Sequence, residues 1–288
     1  MKRIYGKKVY RLALDAGCTC PNRDGTCGFG GCFFCADSAY AESVLPISEQ
    51  IEKAKEKVAA KTKDNAYIAY FQSHTNTYGD MNRLCGMFQE AINHPEVVTL
   101  AIGTRPDCLD GKWIERLAEL NKIKPVWVEL GLQTINDDTA KLINRGYNLA
   151  VFEDAYKRLK AAGITVIVHA IIGLPGEADK DAIATVKYLS SLNPSLDGIK
   201  LHNLNILKGT VLCEMYEKNP SLIHEYTMEE YLSLVIKLIR ILPEGCVIHR
   251  ITGDGPRSLL VTPKWITDKK RVQNTFRKLL EEKEEPGL

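Results

Sequence analysis

Apolar residues in this 288-residue chain fall into short runs, and these alternate with longer helix-periodic stretches almost from end to end. Six runs rich in β-branched and aromatic residues predict strands: VYRLALDA (9–16), YIAYFQ (67–72), VVTLAIGT (97–104), VWVELGLQ (126–133), VIVHAIIG (166–173) and GIKLHNLNI (198–206). Between them, three-to-four spacing predicts helices over 48–61, 80–93, 111–120, 136–162 with a break near Gly146, 178–191 and 227–241. Thr227 and Glu230 have the spacing of a capping box opening the last of these. Strands that alternate with helices build a parallel sheet with right-handed crossovers. Six such units suit either a doubly wound sheet or an incomplete barrel, and the residues after the strands decide. The cysteine-rich loop and the segments SHTNTYG, TRPD, QTIND, LPGE and LKGT are all polar or turn-forming. In parallel α/β folds the functional face lies at the C-terminal strand ends. The expected fold is α/β, a partial (β/α)6 TIM-like barrel over 1–242, with 243–288 a small C-terminal extension packed on it.

Composition changes little in this picture. Apolar residues at 45% and charged residues at 26% describe an ordinary globular chain. No run of eighteen apolar residues exists to span a membrane. The basic start MKRIYGKKVYR lacks the apolar stretch and cleavage site of a secretory signal, so a cytoplasmic protein is expected. A net charge of +2 names no partner. Basic residues do gather at Lys2, Arg3, Lys7, Lys8 and Arg11, and again at Lys264, Lys269, Lys270, Arg271, Arg277 and Lys278. Each group suits a phosphate-binding surface or a solvated face.

Cysteine placement carries the chemistry. Five of the nine lie in CTCPNRDGTCGFGGCFFC, Cys18 to Cys35. In a reducing compartment such clustering signals metal or catalysis before disulfides. The two-residue gap between Cys32 and Cys35 lets both thiolates reach one metal centre. Four of the five would satisfy tetrahedral zinc, whereas three would hold an iron–sulfur cluster with one iron left open. Position after the first strand, facing the rim, favours the open cluster. Gly28, Gly30 and Gly31 permit close backbone approach, and Phe29, Phe33 and Phe34 are placed to exclude water. Cys85, Cys108, Cys213 and Cys246 are scattered singly and read as small buried hydrophobes, with no second cluster.

This loop resembles the cluster loop of the YtqA/YhcC-type radical SAM proteins, relatives of the elongator catalytic subunit and of oxygen-independent coproporphyrinogen oxidase. CPNRDGT, GGC and FC carry the likeness. YFQSHTNTYG, IGTRPDCL, ELGLQTIND, IIGLPGE, KLHNLNILKGT and HRITGDGP resemble further family segments in the same order. The resemblance implies a radical SAM partial barrel. It implies a [4Fe–4S] cluster on Cys20, Cys32 and Cys35, with Cys18 and Cys27 as extra non-ligands. It also implies S-adenosylmethionine (SAM) at the open iron, cleaved reductively to a 5′-deoxyadenosyl radical.

The same resemblance implies the cofactor contacts. Ser73, His74 and Thr75 stand where relatives bind the SAM amino group, and Thr104 closes the third strand nearby. Gln133 and Arg145 have the spacing of a Gln/Arg pair in relatives, the arginine suited to a carboxylate. His169 stands at a ribose-facing position, and Gly173 of GLPGE beside the adenine. Glu129, alternating inward on its strand, suits a ribose hydroxyl or a pairing with Arg105. Asn76, Tyr78, Arg105, His202, Asn203, Asn205 and Lys208 are candidate substrate contacts, since a polar layer at the strand ends is not there for packing. No catalytic residue is assigned.

The implied substrate is tRNA, modified on the C5 side chain of the wobble uridine from carboxymethylaminomethyl- to aminomethyl-(2-thio)uridine. An electron donor such as flavodoxin or ferredoxin would serve the cluster. The alternatives are a small molecule or another macromolecule as substrate and, more remotely, a non-catalytic zinc-stabilised nucleic-acid-binding protein.

Overall fold

The computed structural model describes residues 2–36, 45–62, 64–72 and 74–282. In chain order its elements are α1 (Lys2–Tyr5), β1 (Tyr10–Leu14), α2 (Ile47–Glu56), β2 (Tyr67–Phe71), α3 (Met81–Asn93), β3 (Val97–Thr104), α4 (Gly111–Asn121), β4 (Val126–Gln133), α5 (Asp137–Leu142), α6 (Leu149–Ala161), β5 (Thr165–Ile172), α7 (Asp179–Ser190), β6 (Gly198–Asn203), β7 (Ile206–Leu207), α8 (Val211–Lys218), α9 (Met228–Ile241), β8 (Val247–Arg250), β9 (Leu260–Thr262) and α10 (Lys269–Glu282). β3 and β4 coincide with the expected runs residue for residue. The long helix expected over 136–162 is two, because Asn144 at φ 53° and Gly146 at φ 84° adopt the left-handed conformation that ends helices.

Three differences come from the end of the chain. The run 198–206 splits: β6 stops at Asn203, and Ile206–Leu207 leaves to pair antiparallel with β9. β8, in the segment expected to be an extension, pairs parallel with β6, Gly198 opposite Val247. Among the described residues the strands of the main sheet therefore number seven where six were expected. Finally, α8 was not expected; it is short, and Thr210 caps it by accepting from Cys213 N.

The chain divides into two compact units, one built of Met1–Phe29, Ala39–Gly131 and Ala150–Ile167, the other of Gly30–Ser38, Leu132–Leu149 and Val168–Leu288. In the first unit β1, β2, β3 and β4 lie side by side in that order, all parallel. One face of this sheet buries Ile68, Tyr70, Ala101, Trp127 and Ile167, with Tyr5 and Val9 packed against them. The same face holds an ion pair between Arg11 and Glu129, with the guanidinium 5.0 Å over the ring of Tyr70. In the second unit the strand order is β5, β6, β8. α9 buries Tyr231, Leu232, Leu234, Val235, Ile236 and Leu238. Its capping box forms as expected: Thr227 Oγ1 accepts from Glu230 N at 3.2 Å, and Glu230 Oε2 accepts from Thr227 N at 2.9 Å. Among the described residues no helix is long and apolar enough to cross a membrane.

Candidate active site

In the first unit the cysteine loop begins as a knot of backbone bonds. Arg23 N donates to Cys20 O at 2.8 Å, and Cys27 N to Pro21 O at 2.9 Å. Asn22 is fully buried beneath it, and a Cβ on Gly28 would lie 2.2 Å from Asn22 Oδ1. Cys18 is buried, which pushes its thiol up to about 11 and makes it a poor source of thiolate. Cys20 is half-buried, and Cys27 is exposed with its Sγ 3.8 Å from Arg105 Nη2.

The loop after β2 is tied to this knot: Thr75 N donates to Thr19 O at 3.2 Å, and Thr75 itself is buried. His74 takes a left-handed φ of 55°. Ser73 lies outside the described residues. Several residues expected at ligands also make contacts within the chain. Asn76 is buried and gives both its backbone N (3.2 Å) and Nδ2 (2.9 Å) to Gly103 O, fastening this loop to β3. Thr77 Oγ1 donates to Cys108 O at 2.7 Å, so in its 2.6 Å contact with Thr104 the proton comes from Thr104. Tyr78 meets Thr26 Oγ1 at 2.6 Å. Arg105 makes a two-pronged pair with Asp107, at 2.9 and 2.7 Å. Glu129, expected at a ribose or at Arg105, is buried against Arg11.

The second unit carries the other end of the loop. Cys35 N donates to Cys32 O at 2.9 Å, closing a tight turn over the two-residue gap. The turn is pinned on both sides: Phe33 N donates to Ile143 O and Leu212 N to Phe33 O, each at 3.0 Å, while Asn144 Nδ2 donates to Gly31 O at 2.8 Å. Phe33 and Phe34 pack on a cluster of Ile143, Leu174, Leu204, Ile206, Leu212, Cys213 and Ile223, where they keep water away. Phe29, expected to help, is 78% exposed. Cys20 in the first unit, and Cys32 and Cys35 in the second, are free thiols with surface access, the type of donor that thiolate ligation needs.

Beside Phe34 opens a cavity of about 250 Å³, lined by Gln133, His169, His202, Asn203, Asn205 and Asp254 among others. Five of these are residues expected from sequence. Asp254 is not; it hides in TGDGP, which reads as a turn. The His169 and His202 rings stand 5.2 Å apart at 35°. Asn203 is locked: its Oδ1 accepts from Gly253 N at 2.8 Å and its Nδ2 donates to Asn205 Oδ1 at 2.6 Å. Lys208, expected at substrate, is exposed and outside this lining, its N donating to Leu259 O at 2.8 Å. Gly173, at φ 85°, is closely packed beside the ring of Tyr226, where a Cβ would lie at 3.3 Å. Glu177, at the end of GLPGE, is buried and accepts from Thr134 Oγ1 at 2.6 Å; desolvation pushes its carboxyl above the usual range.

Arg145 lies in the same unit as Gln133. Its side chain has no exposed surface. It donates to Leu132 O, to Thr134 O at 2.7 Å and to Tyr147 O at 3.0 Å, and reaches Asp137 Oδ1 at 3.3 Å.

The chain is a parallel α/β protein with a cysteine-rich loop after β1 and a polar cavity in its second unit. The Radical SAM superfamily model matches residues 23–189, and that of the Radical_SAM C-terminal domain residues 196–282. The chain belongs to the radical SAM superfamily, whose cofactors are a [4Fe–4S] cluster and SAM. YtqA of Bacillus subtilis, an uncharacterised protein, is 38% identical over 285 residues, covering 98% of this chain and 87% of its own. The tRNA uridine(34) acetyltransferase of Methanocaldococcus infernus is 30% identical over 167 residues, 57% of this chain and 30% of its own. The solved structure of archaeal Elp3 from Methanocaldococcus infernus, lacking its N-terminus, superposes with a TM-score of 0.73 at 20% identity, covering 96% of this chain and 63% of that one. That likeness shows the fold, an α/β partial barrel of the radical SAM type.

Proposed function

We propose that this radical SAM enzyme modifies tRNA at the C5 side chain of the wobble uridine, trimming carboxymethylaminomethyl- to aminomethyl-(2-thio)uridine, an activity of the MnmL type. The observation that carries this assignment is the similarity to an archaeal tRNA uridine(34) acetyltransferase over 57% of the chain. Cys20, Cys32 and Cys35 would hold the cluster. When bound, the cluster supplies the electron that splits the SAM sulfonium and yields a 5′-deoxyadenosyl radical for hydrogen abstraction. The chain's own tasks are binding and exclusion. Phe33 and Phe34 keep water from the cysteine turn. Thr75, fixed on Thr19 O, and His74 offer backbone oxygens to an ammonium. Gln133, His169 and Gly173 meet the cofactor from the strand ends, and His202, Asn203 and Asn205 face the substrate. The basic segments at residues 2–11 and 264–278 would meet the anticodon stem, whose phosphates call for cations.

The test is nucleoside mass analysis after anaerobically reconstituted enzyme, SAM and a reductant such as reduced flavodoxin or ferredoxin meet precursor tRNA. Expected is a lighter wobble nucleoside, its carboxymethyl group replaced by hydrogen. Vigorous SAM cleavage beside unchanged tRNA would overturn the assignment and point to a small molecule or another macromolecule.

A further inference from the structure

The segment TGDGP follows β8, and its backbone is fixed without help from its one charged side chain. Gly253 N donates to Asn203 Oδ1 at 2.8 Å, and a Cβ on Gly253 would meet Asn203 O at 3.1 Å. Asp254 stands just past this anchor, its side chain 46% exposed, and two cations share it. Arg250 Nη2 lies 3.3 Å from Oδ2, and Lys269 Nζ lies 3.1 Å from Oδ1. Ion pairs this exposed contribute little to stability. What the arrangement does is bring two cations to one point. That point lies in a cavity of about 330 Å³, which Arg250, Lys269 and Asp254 line together with His249, Thr252 and Gln273. The cations outnumber the carboxylate, and Thr252 and Gln273 add a hydroxyl and an amide able to donate. Ile266 and Val272, both buried, supply an apolar wall, and low-dielectric walls concentrate the field of the charges they enclose. All these residues belong to the second unit. Asp254 also lines the cavity of His169, His202 and Asn205, so one side chain is common to both spaces.

We propose that this second cavity is a phosphate-binding site: Arg250 and Lys269 receive a phosphate of the RNA, and Asp254 is the internal anion that the phosphate displaces. A phosphate offers more acceptor oxygens than a carboxylate, enough to occupy both cations and the neutral donors beside them. Two sources share that chemistry, a phosphodiester of an RNA chain and free inorganic phosphate. The half-exposed charges suit a polymer backbone lying across the surface. Because Asp254 is common to both cavities, the phosphate comes within one side chain of the space assigned to the substrate. The pair of cavities thus reads a nucleotide, its base on one side and its phosphate on the other. The inference rests on the tRNA assignment for the source of the phosphate, and not for the site itself.

The experiment uses the full reconstituted chain and two probes, inorganic phosphate and an anticodon stem-loop RNA. It measures equilibrium affinity, salt dependence and thermal midpoint for wild type, Arg250→Gln, Lys269→Gln and Asp254→Asn. Arg250→Gln and Lys269→Gln should each weaken phosphate binding roughly five- to tenfold with the thermal midpoint held. Asp254→Asn should act in the opposite direction and tighten phosphate binding about threefold, because the internal competitor is gone. A purely structural ion-pair cluster would give no such reversal of sign. With the RNA probe, loss of either cation should flatten the logarithmic salt dependence by about 0.7–0.9, the share of one phosphate contact. That result assigns the phosphate to the RNA chain, whereas a change seen with inorganic phosphate alone assigns the site to the free anion. Failure of the tRNA assignment reads differently: precursor tRNA stays unmodified while phosphate affinity still follows the three variants. Unchanged affinity for both probes in Arg250→Gln and Lys269→Gln would overturn the proposal. So would weaker phosphate binding by Asp254→Asn.

Discussion

Gly28 shows how little freedom single positions in the cysteine loop retain. A methyl group there would sit 2.2 Å from the amide oxygen of a fully buried asparagine. Gly28→Ala should therefore cost about 1–3 kcal/mol in denaturant unfolding, and it should lower the iron bound on reconstitution by moving the turn that begins at Cys20. The cysteines separate by the same logic. Alanine at Cys20, Cys32 or Cys35 should abolish cluster iron and sulfide, whereas Cys18→Ala and Cys27→Ala should leave both near wild-type amounts; iron retained by Cys32→Ala would exclude the assigned set. Glu177 offers a pH test. Its folded pKa is raised by burial, so its contribution to stability is complete below the unfolded carboxyl pKa and is lost as pH rises through the folded value. Glu177→Gln should gain stability relative to wild type as pH rises above the ordinary carboxyl range of about 4. A difference that stays flat as pH rises would remove the burial argument.

At the scale of elements, α9 is where local code and tertiary structure agree most fully. Its reciprocal cap at Thr227 and Glu230 is written in four residues, and Thr227→Ala should cost about 1 kcal/mol, or about 2–4 °C in thermal midpoint. Strands β3 and β4 were equally legible, because long β-branched runs bounded by polar turns leave few alternatives. β8 was not. Its four residues show no alternation, and what makes it a strand is pairing with β6, nearly fifty residues earlier in the chain, which no local pattern records. α8 escaped for lack of length. The site divides similarly. Strand-end position was enough to gather Gln133, His169, His202, Asn203 and Asn205 at one cavity. What Arg145, Asn76 and Thr104 touch was hidden, because a polar side chain's choice between ligand and backbone is decided by a few tenths of an ångström in the folded chain.

For the whole molecule, a net charge of +2 gives little long-range attraction for RNA, so local patches must supply it. On α10, Lys269, Arg271 and Lys278 already face Asp254, Glu229 and Glu282. Lys270→Glu with Arg277→Glu should weaken tRNA binding and flatten its logarithmic salt dependence by about 0.9 per lost phosphate contact, with RNA-free SAM cleavage unchanged. An unaltered salt slope would take α10 out of the RNA interface.

Each compact unit is assembled from three separated stretches of chain, and those of the first end only at Ile167. During translation, then, neither half can close early: a ribosome must deliver more than half the polypeptide before even the first has all its strands and helices. A protease cut between 132 and 149 would yield no autonomous fragment on either side, and nascent chains stalled there should depend on chaperones.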